Sequence, residues 1–308
     1  MTTAMQRINE LDFLKGFLII LVISFHLVYI GDTHPYAKQI VYTFHMPGFL
    51  LISGYLININ KRWKDFLKTM LHYAIPYLVI ESGYILMASV LPIREHLDNL
   101  TTGVFFESLL LHPLGPYWYL QTLIICGLSY AVISRLDFMK PVSRFILLGI
   151  VYYLISTFGV LSFGCSMYFL AGAVLRHSNV SFTSLFQASP LAIVAFALLA
   201  IHPQNLSLEQ SGGILMVVLI ISAALCAYAY IGDKPRRLMM YLGQKSMPLF
   251  LFSPIFTFVC KPLVAFLQFD PTGLLFLIVS LIICISGSLA VEWLLNKTGL
   301  SRYFYAKL

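Results

Sequence analysis

Apolar residues run through this chain in long stretches, and polar residues gather in the gaps between them. Ten stretches read as helices: 12–30, 41–59, 66–90, 116–134, 143–159, 163–176, 190–202, 213–231, 246–268 and 272–295. Most approach the roughly 20 residues a helix needs to cross a bilayer core, and 163–176 and 190–202 are the shortest. The loops are short except 92–115, where Val104–Leu111 is apolar but too short to span and is expected to lie at the interface. No repeat of fixed period, low-complexity tract or coiled coil interrupts the pattern. It predicts an all-α integral membrane protein, a polytopic bundle of about ten transmembrane helices forming one domain over 1–308.

Composition supports lipid as the solvent. Hydrophobic residues are 59% of the 308 and charged residues only 11%, too few charges to cover a soluble surface of this size. The mean hydropathy of +0.84 agrees. The first apolar run is long enough to span, and no small-residue cleavage site precedes Tyr29, so a retained helix is expected rather than a signal peptide.

The net charge of +7 changes meaning once its placement is followed. With the ten spans drawn as above, 17 of the 20 Lys and Arg fall on one side, and only Lys38, Arg94 and Lys261 fall on the other. The positive-inside rule then puts both termini in the cytoplasm and makes the basic excess a topology signal, with no nucleic-acid partner implied. The basic loop 232–245 would lie beside anionic headgroups. Cys126, Cys165, Cys226, Cys260 and Cys284 are scattered singly without a CxxC pair, so they are expected to be small core residues and no metal site is expected.

Ionisable residues inside a membrane are expensive and mark candidate sites. Lys15 and His26 are eleven residues apart in one predicted helix. That is about 1100° of rotation, three turns plus roughly 20°, so they share a face about 16 Å apart along the axis. The plainer account has Lys15 snorkelling to headgroups and His26 hydrogen-bonded inside the bundle. His45 falls at a depth similar to His26 on the next helix, in FHMPGFLLISGYL, where Pro47, Ser53 and Gly54 permit a bend or a close helix contact. Glu81 is mid-span in the third helix and should face the interior. Trp118 opens the PYWYLQTL segment, which on its own could equally be an interfacial aromatic belt.

Together, RINELDFLKGFLIILVISFH, FHMPGFLLISGYL and PYWYLQTL, in this order, resemble the acyltransferase-3 family, in particular its fucose 4-O-acetylase-like and polysaccharide O-acetyltransferase branch. The family's Arg/Lys-x10-His motif corresponds to Lys15 and His26. Its Phe-His-x-Pro-x-Phe-x-x-Ser-Gly-Tyr pattern corresponds to Phe44–Tyr55, and its Trp-Phe/Tyr-Leu segment to Trp118, Tyr119 and Leu120. Two positions depart from the family: Ser253 stands where many relatives have histidine, and Gln121 where many have arginine.

The resemblance implies a membrane O-acyltransferase of the bacterial cytoplasmic (inner) membrane. It would move an acyl group, most simply acetyl, from acyl-CoA (acetyl-CoA) to a hydroxyl of a glycan acceptor in a surface polysaccharide or its lipid-linked precursor. On that reading Lys15 holds the phosphates of coenzyme A, and His26 takes the proton of the sugar hydroxyl, an imidazole with an ordinary pKa of about 6.5 being suited to it. His45 or a backbone amide near Ser53 and Gly54 steadies the oxyanion. Asp12, Ser53, Glu81 and Trp118 line the substrate cavity. Partners would be acyl-CoA, the glycan and the bilayer, with a homo-oligomer also allowed. A polytopic transporter or flippase for a glycan or lipid-linked precursor is the rival reading. A reporter fused after Leu308 should read as cytoplasmic, and a periplasmic reading would overturn the charge-derived topology.

Overall fold

The computed structural model describes residues 7–91 and 95–304. Arg94, Lys307 and Leu308, on which the charge comparison and its reporter draw, lie outside the described residues. Helix accounts for 79% of the chain and no strand occurs among the described residues. Such a composition suits a solvent that offers the backbone no hydrogen bonds, since a helix satisfies its own amides and carbonyls.

In chain order the helices are α1 (Asn9–His26), α2 (Val28–Thr33), α3 (Pro35–Leu56), α4 (Trp63–Val90), α5 (Thr102–Leu110) and α6 (Trp118–Ile133), the last entered through a 3-10 turn at Gly115–Tyr117. Then come α7 (Pro141–Thr157), α8 (Phe163–His177), α9 (Phe182–Leu185), α10 (Leu191–Ala200), α11 (Ser211–Tyr230) and α12 (Asp233–Gln244). The chain closes with α13 (Ser246–Val259), α14 (Val264–Leu267), α15 (Leu274–Lys297) and α16 (Ser301–Phe304). Each of the ten apolar stretches coincides with helix, but two are interrupted. The stretch 12–30 breaks at Leu27, whose φ of −70° and ψ of 104° are extended. The stretch 246–268 bends by 45° between α13 and the segment Lys261–Leu267, where Pro262 removes a backbone donor.

Among the described residues four helical segments are long and apolar enough to cross a bilayer alone: Trp63–Val90, Gly115–Ile133, Ser211–Tyr230 and Leu274–Lys297. The bent pair from Ser246 to Leu267 makes a fifth if it is one span, while α7 and α10 are apolar but shorter. In α15 the mean hydropathy reaches 2.8, yet only 22% of its most apolar window is buried. Leu274, Ile278, Ile282 and Leu294 face outward. So much uncovered hydrocarbon on one helix is stable only against lipid or another apolar surface. The protein is therefore a multi-pass membrane protein.

The chain forms two compact units, one from the described residues of 1–49 and 180–294, the other from those of 50–179 and 295–308. In the first, α1 packs along α12, with α11 and α13 also beside it. The α1–α12 contact is backbone on backbone. A side chain at Gly16 would strike the Met239 carbonyl, and one at Gly243 would strike the Asp12 carbonyl and the Gly16 amide. Phe13 meets Tyr228 edge-on at 5.4 Å beside this contact. Charged Lys234 and Arg237 occupy the exposed side of α12, as its basic sequence requires.

In the second unit α4 packs on α6, and α7 on α8. The end of α3 meets α8 through another reciprocal glycine pair: a side chain on Gly54 would strike the Phe169 carbonyl, and one on Gly172 the Leu51 carbonyl. Tyr152, fully buried, donates its hydroxyl to the Cys126 carbonyl at 2.9 Å. All five cysteines are buried.

Gly243→Val should destabilise the protein by about 1–3 kcal/mol, the usual cost of forcing atoms into a filled contact. Gly83→Ala is the control, because a side chain there meets nothing and alanine favours helix by up to about 1 kcal/mol. Thermal unfolding in detergent reads both, and an unchanged midpoint for Gly243→Val would show that α1 and α12 are not in contact.

Candidate active site

The first unit carries polar chemistry at both ends of α1. At its start, buried Asp12 (4% exposed) accepts from the Arg7 Nε at 2.6 Å and from the Lys15 Nζ at 2.8 Å. The carboxylate lies in the first turn, where unpaired amides give the helix end a partial positive charge. Two cations and that end offset the cost of burying it. The backbone of Asp12 is in turn pressed by Gly243. Two cations against one anion leave the cluster a net positive charge. A lysine ammonium has three donors, of which the contact with Asp12 uses one. A second ion pair, Lys245 to Glu292 at 2.6 Å, ties the junction of α12 and α13 to α15.

At the other end of α1, His26 is the last helical residue. Its Nδ1 lies 2.7 Å from the Val22 carbonyl, and the Nδ1 of His45 lies 2.7 Å from the Val41 carbonyl. A carbonyl can only accept, so each Nδ1 carries the proton, and in the neutral ring Nε2 keeps its lone pair. The Tyr42 ring lies against both, its centroid 6.4 Å from that of His26 and 5.0 Å from that of His45. Its hydroxyl donates to the Phe25 carbonyl at 3.3 Å.

The two histidines differ in access. His45 is 4% exposed, whereas His26, the last residue of α1, is partly exposed. A base that meets an incoming substrate must be reachable, which favours His26. The helix end carries partial negative charge, so it stabilises the imidazolium formed when His26 takes a proton.

The second unit holds the other candidates. The Ser53 hydroxyl lies 2.8 Å from the hydroxyl of Tyr119, either being able to donate. The amides of Ser53 and Gly54 lie within α3, where a helix uses them internally; what Gly54 supplies is close packing. Glu81 is fully buried at 0% exposure. One of its oxygens accepts the Leu114 N–H at 2.6 Å, and the other has no partner among the described residues. Glu95 accepts the neighbouring Gly115 N–H. Gln121, where many relatives have arginine, donates to the Leu110 carbonyl at 2.8 Å. Three polar side chains thus pin the segment 110–115, which leads through the positive φ of Gly115 (59°) into Trp118 at the start of α6.

The sequence patterns do not single out Arg7, Tyr42 and Glu292, and they mark Tyr119 only as part of a motif. Tyr42 precedes His45 by three residues and Arg7 precedes Asp12 by five, spacings that carry some signal. The Tyr119 and Glu292 partners are 66 and 47 residues away, and no local pattern reveals them.

The nodulation protein NolL of Sinorhizobium fredii is 31% identical over 131 residues, which cover 39% of this chain and 35% of that relative, so the chain matches about a third of its length. No solved structure matches. A family model described as an acyltransferase domain matches residues 8–293, from the entry of α1 to the end of α15. On that match, the chain belongs to the acyltransferase-3 family.

Proposed function

We propose that this protein is a membrane O-acyltransferase that moves an acetyl group from cytosolic acetyl-CoA to a sugar hydroxyl of a surface polysaccharide or its lipid-linked precursor. It would sit in the bacterial cytoplasmic membrane with ten spans and both termini in the cytoplasm. The observation that carries the reading is the state of His26: its Nδ1 proton is committed to Val22, its Nε2 lone pair is left for a substrate, and its ring is partly exposed at the end of α1.

The steps follow from the two ends of α1. The Arg7–Asp12–Lys15 cluster is net positive and suits the phosphates of coenzyme A, with Lys15 as a point charge and Asp12 holding it in place. The pantetheine arm runs along the helix toward His26. There the sugar hydroxyl gives its proton to Nε2 while its oxygen attacks the thioester carbonyl. The new carbon–oxygen bond forms as the carbon–sulfur bond breaks, and the imidazolium returns the proton to the departing thiolate. Tyr42 and His45 hold the shape of this corner. Ser53, Glu81 and Trp118 belong to the second unit, where Glu81 accepts from the segment that leads into Trp118.

His26→Ala should lower transfer at least about 100-fold while expression and membrane insertion stay normal. The assay is purified protein with labelled acetyl-CoA and candidate glycans, and retention of more than about a tenth of the wild-type rate would remove His26 as the base.

Lys15→Ala should weaken acetyl-CoA binding, and Lys15→Arg should largely restore it, because either cation supplies the charge. Arg7 still pairs Asp12 in both variants, so the carboxylate is not left bare. His26→Ala should keep its donor affinity. Calorimetry on detergent-purified variants reads this, and equal affinity for wild type and Lys15→Ala would end the phosphate role.

A further inference from the structure

Within the first unit, a cavity of about 260 Å³ opens one residue beyond His26. Its wall begins at Leu27, the break that ends α1, and continues through Tyr29 and Asp32 on α2. The opposite wall is Thr257, near the end of α13, and Lys261, just past the bend. Phe276 on α15 closes the back. It is smaller than the roughly 300–1,000 Å³ of pockets that take drug-sized ligands.

The walls are held in place. Tyr29 meets Phe276 edge-on at 5.1 Å. Gly273, with a positive φ of 68°, lies directly beneath Tyr29, where a side chain would be 3.3 Å from the ring. His34, at the end of α2, is bonded through Nε2 to the Thr272 carbonyl at 2.8 Å. Asp270 accepts from the Thr272 and Leu275 amides, both at 2.9 Å, and so fixes the turn into α15. Lys261 is steadied by its ammonium lying 4.7 Å from the Phe258 ring centre.

Three polar groups remain uncommitted. Among the described residues the Asp32 carboxylate, the Tyr29 hydroxyl and the Lys261 ammonium have no hydrogen-bond partner. Asp32 and Lys261 line one cavity without pairing with each other. The set is an acceptor, a donor and a group that does both, arranged over aromatic surface. A sugar ring is the complementary object, with apolar C–H faces for the aromatics and hydroxyls at its edge for the charged groups. A lipid tail fits the hydrocarbon but leaves both charges unanswered.

We propose that this cavity binds one monosaccharide unit of the acceptor. Asp32 accepts from its hydroxyls, Lys261 donates to them, and Tyr29 covers a ring face. The role as acceptor subsite rests on the acyltransferase reading, while sugar binding itself does not. The cavity wall starts at Leu27, the residue that follows His26.

The test uses the full chain in nanodiscs. Saturation-transfer NMR with methyl α-L-fucoside, methyl α-D-mannoside and N-acetyl-D-glucosamine should show binding of at least one sugar by wild type. Asp32→Asn and Lys261→Met should each weaken it about tenfold, the value of one hydrogen bond to a charged group, while acetyl-CoA affinity stays at the wild-type level. Tyr29→Phe should weaken it less. Wild type binding none of the three, or the variants binding as wild type does, overturns the proposal, as does a photoreactive lipid acyl chain labelling Tyr29 in place of sugar. In parallel, CoA release is followed with the sugar that binds. Sugar binding without acetyl transfer by wild type would defeat the acyltransferase reading and leave the cavity assignment standing. Transfer with acceptor KM unchanged in both variants would defeat the cavity assignment and leave the reading standing.

Discussion

A bilayer core supplies no hydrogen bonds, so every polar group held there must find its partner inside the protein, and this constraint shapes both the fold and the site. It selects helix for the backbone. It also reaches the side chains: Ser24, Thr43 and Ser288 each donate to the carbonyl four residues earlier. His26 and His45 do the same with Nδ1. For a serine the bond simply retires a donor. For a histidine it also decides the tautomer, and so the rule that makes a residue tolerable in lipid leaves the opposite nitrogen ready to accept a proton.

Charge obeys the same constraint at higher cost. Asp12 is buried only with Arg7 and Lys15 on it, and Glu292 only with Lys245. Glu81 remains partly unanswered, with one oxygen on the Leu114 amide and the other without a partner among the described residues. It spends its bond on a backbone turn, and with Glu95 and Gln121 it fixes how the chain enters α6. A buried polar residue can matter in this way, by setting the path of the chain that carries Trp118 and Tyr119.

Helix contacts cannot rely on hydrophobic exclusion when the surrounding lipid is as apolar as leucine. Close backbone approach takes its place. Gly16 and Gly243 bring α1 and α12 together at the level of Asp12, and Gly54 and Gly172 bring α3 and α8 together beside Ser53. In each case the close contact lies next to a polar candidate, so packing and chemistry share the same turns of helix.

Much of this was legible in the sequence, for a physical reason. Membrane helices are set by local composition, and each of the ten apolar stretches became helix. The facing of Lys15 and His26 followed from helical geometry once α1 was known to be continuous. What the sequence could not give was the interruptions and the partners. The break at Leu27, with no proline or glycine between Phe17 and Ile30, follows no local propensity, yet it ends α1 at His26 and starts the cavity at Tyr29 and Asp32. Lys15 was read as a lone cation, but the fold gives it Asp12 and, through Asp12, Arg7. The hydroxyl pair of Ser53 with Tyr119 and the ion pair of Lys245 with Glu292 join residues 66 and 47 positions apart. Composition fixes which segments leave water, because transfer free energy is a sum over residues. Which side chains then meet depends on how whole helices pack, and that is decided only in three dimensions.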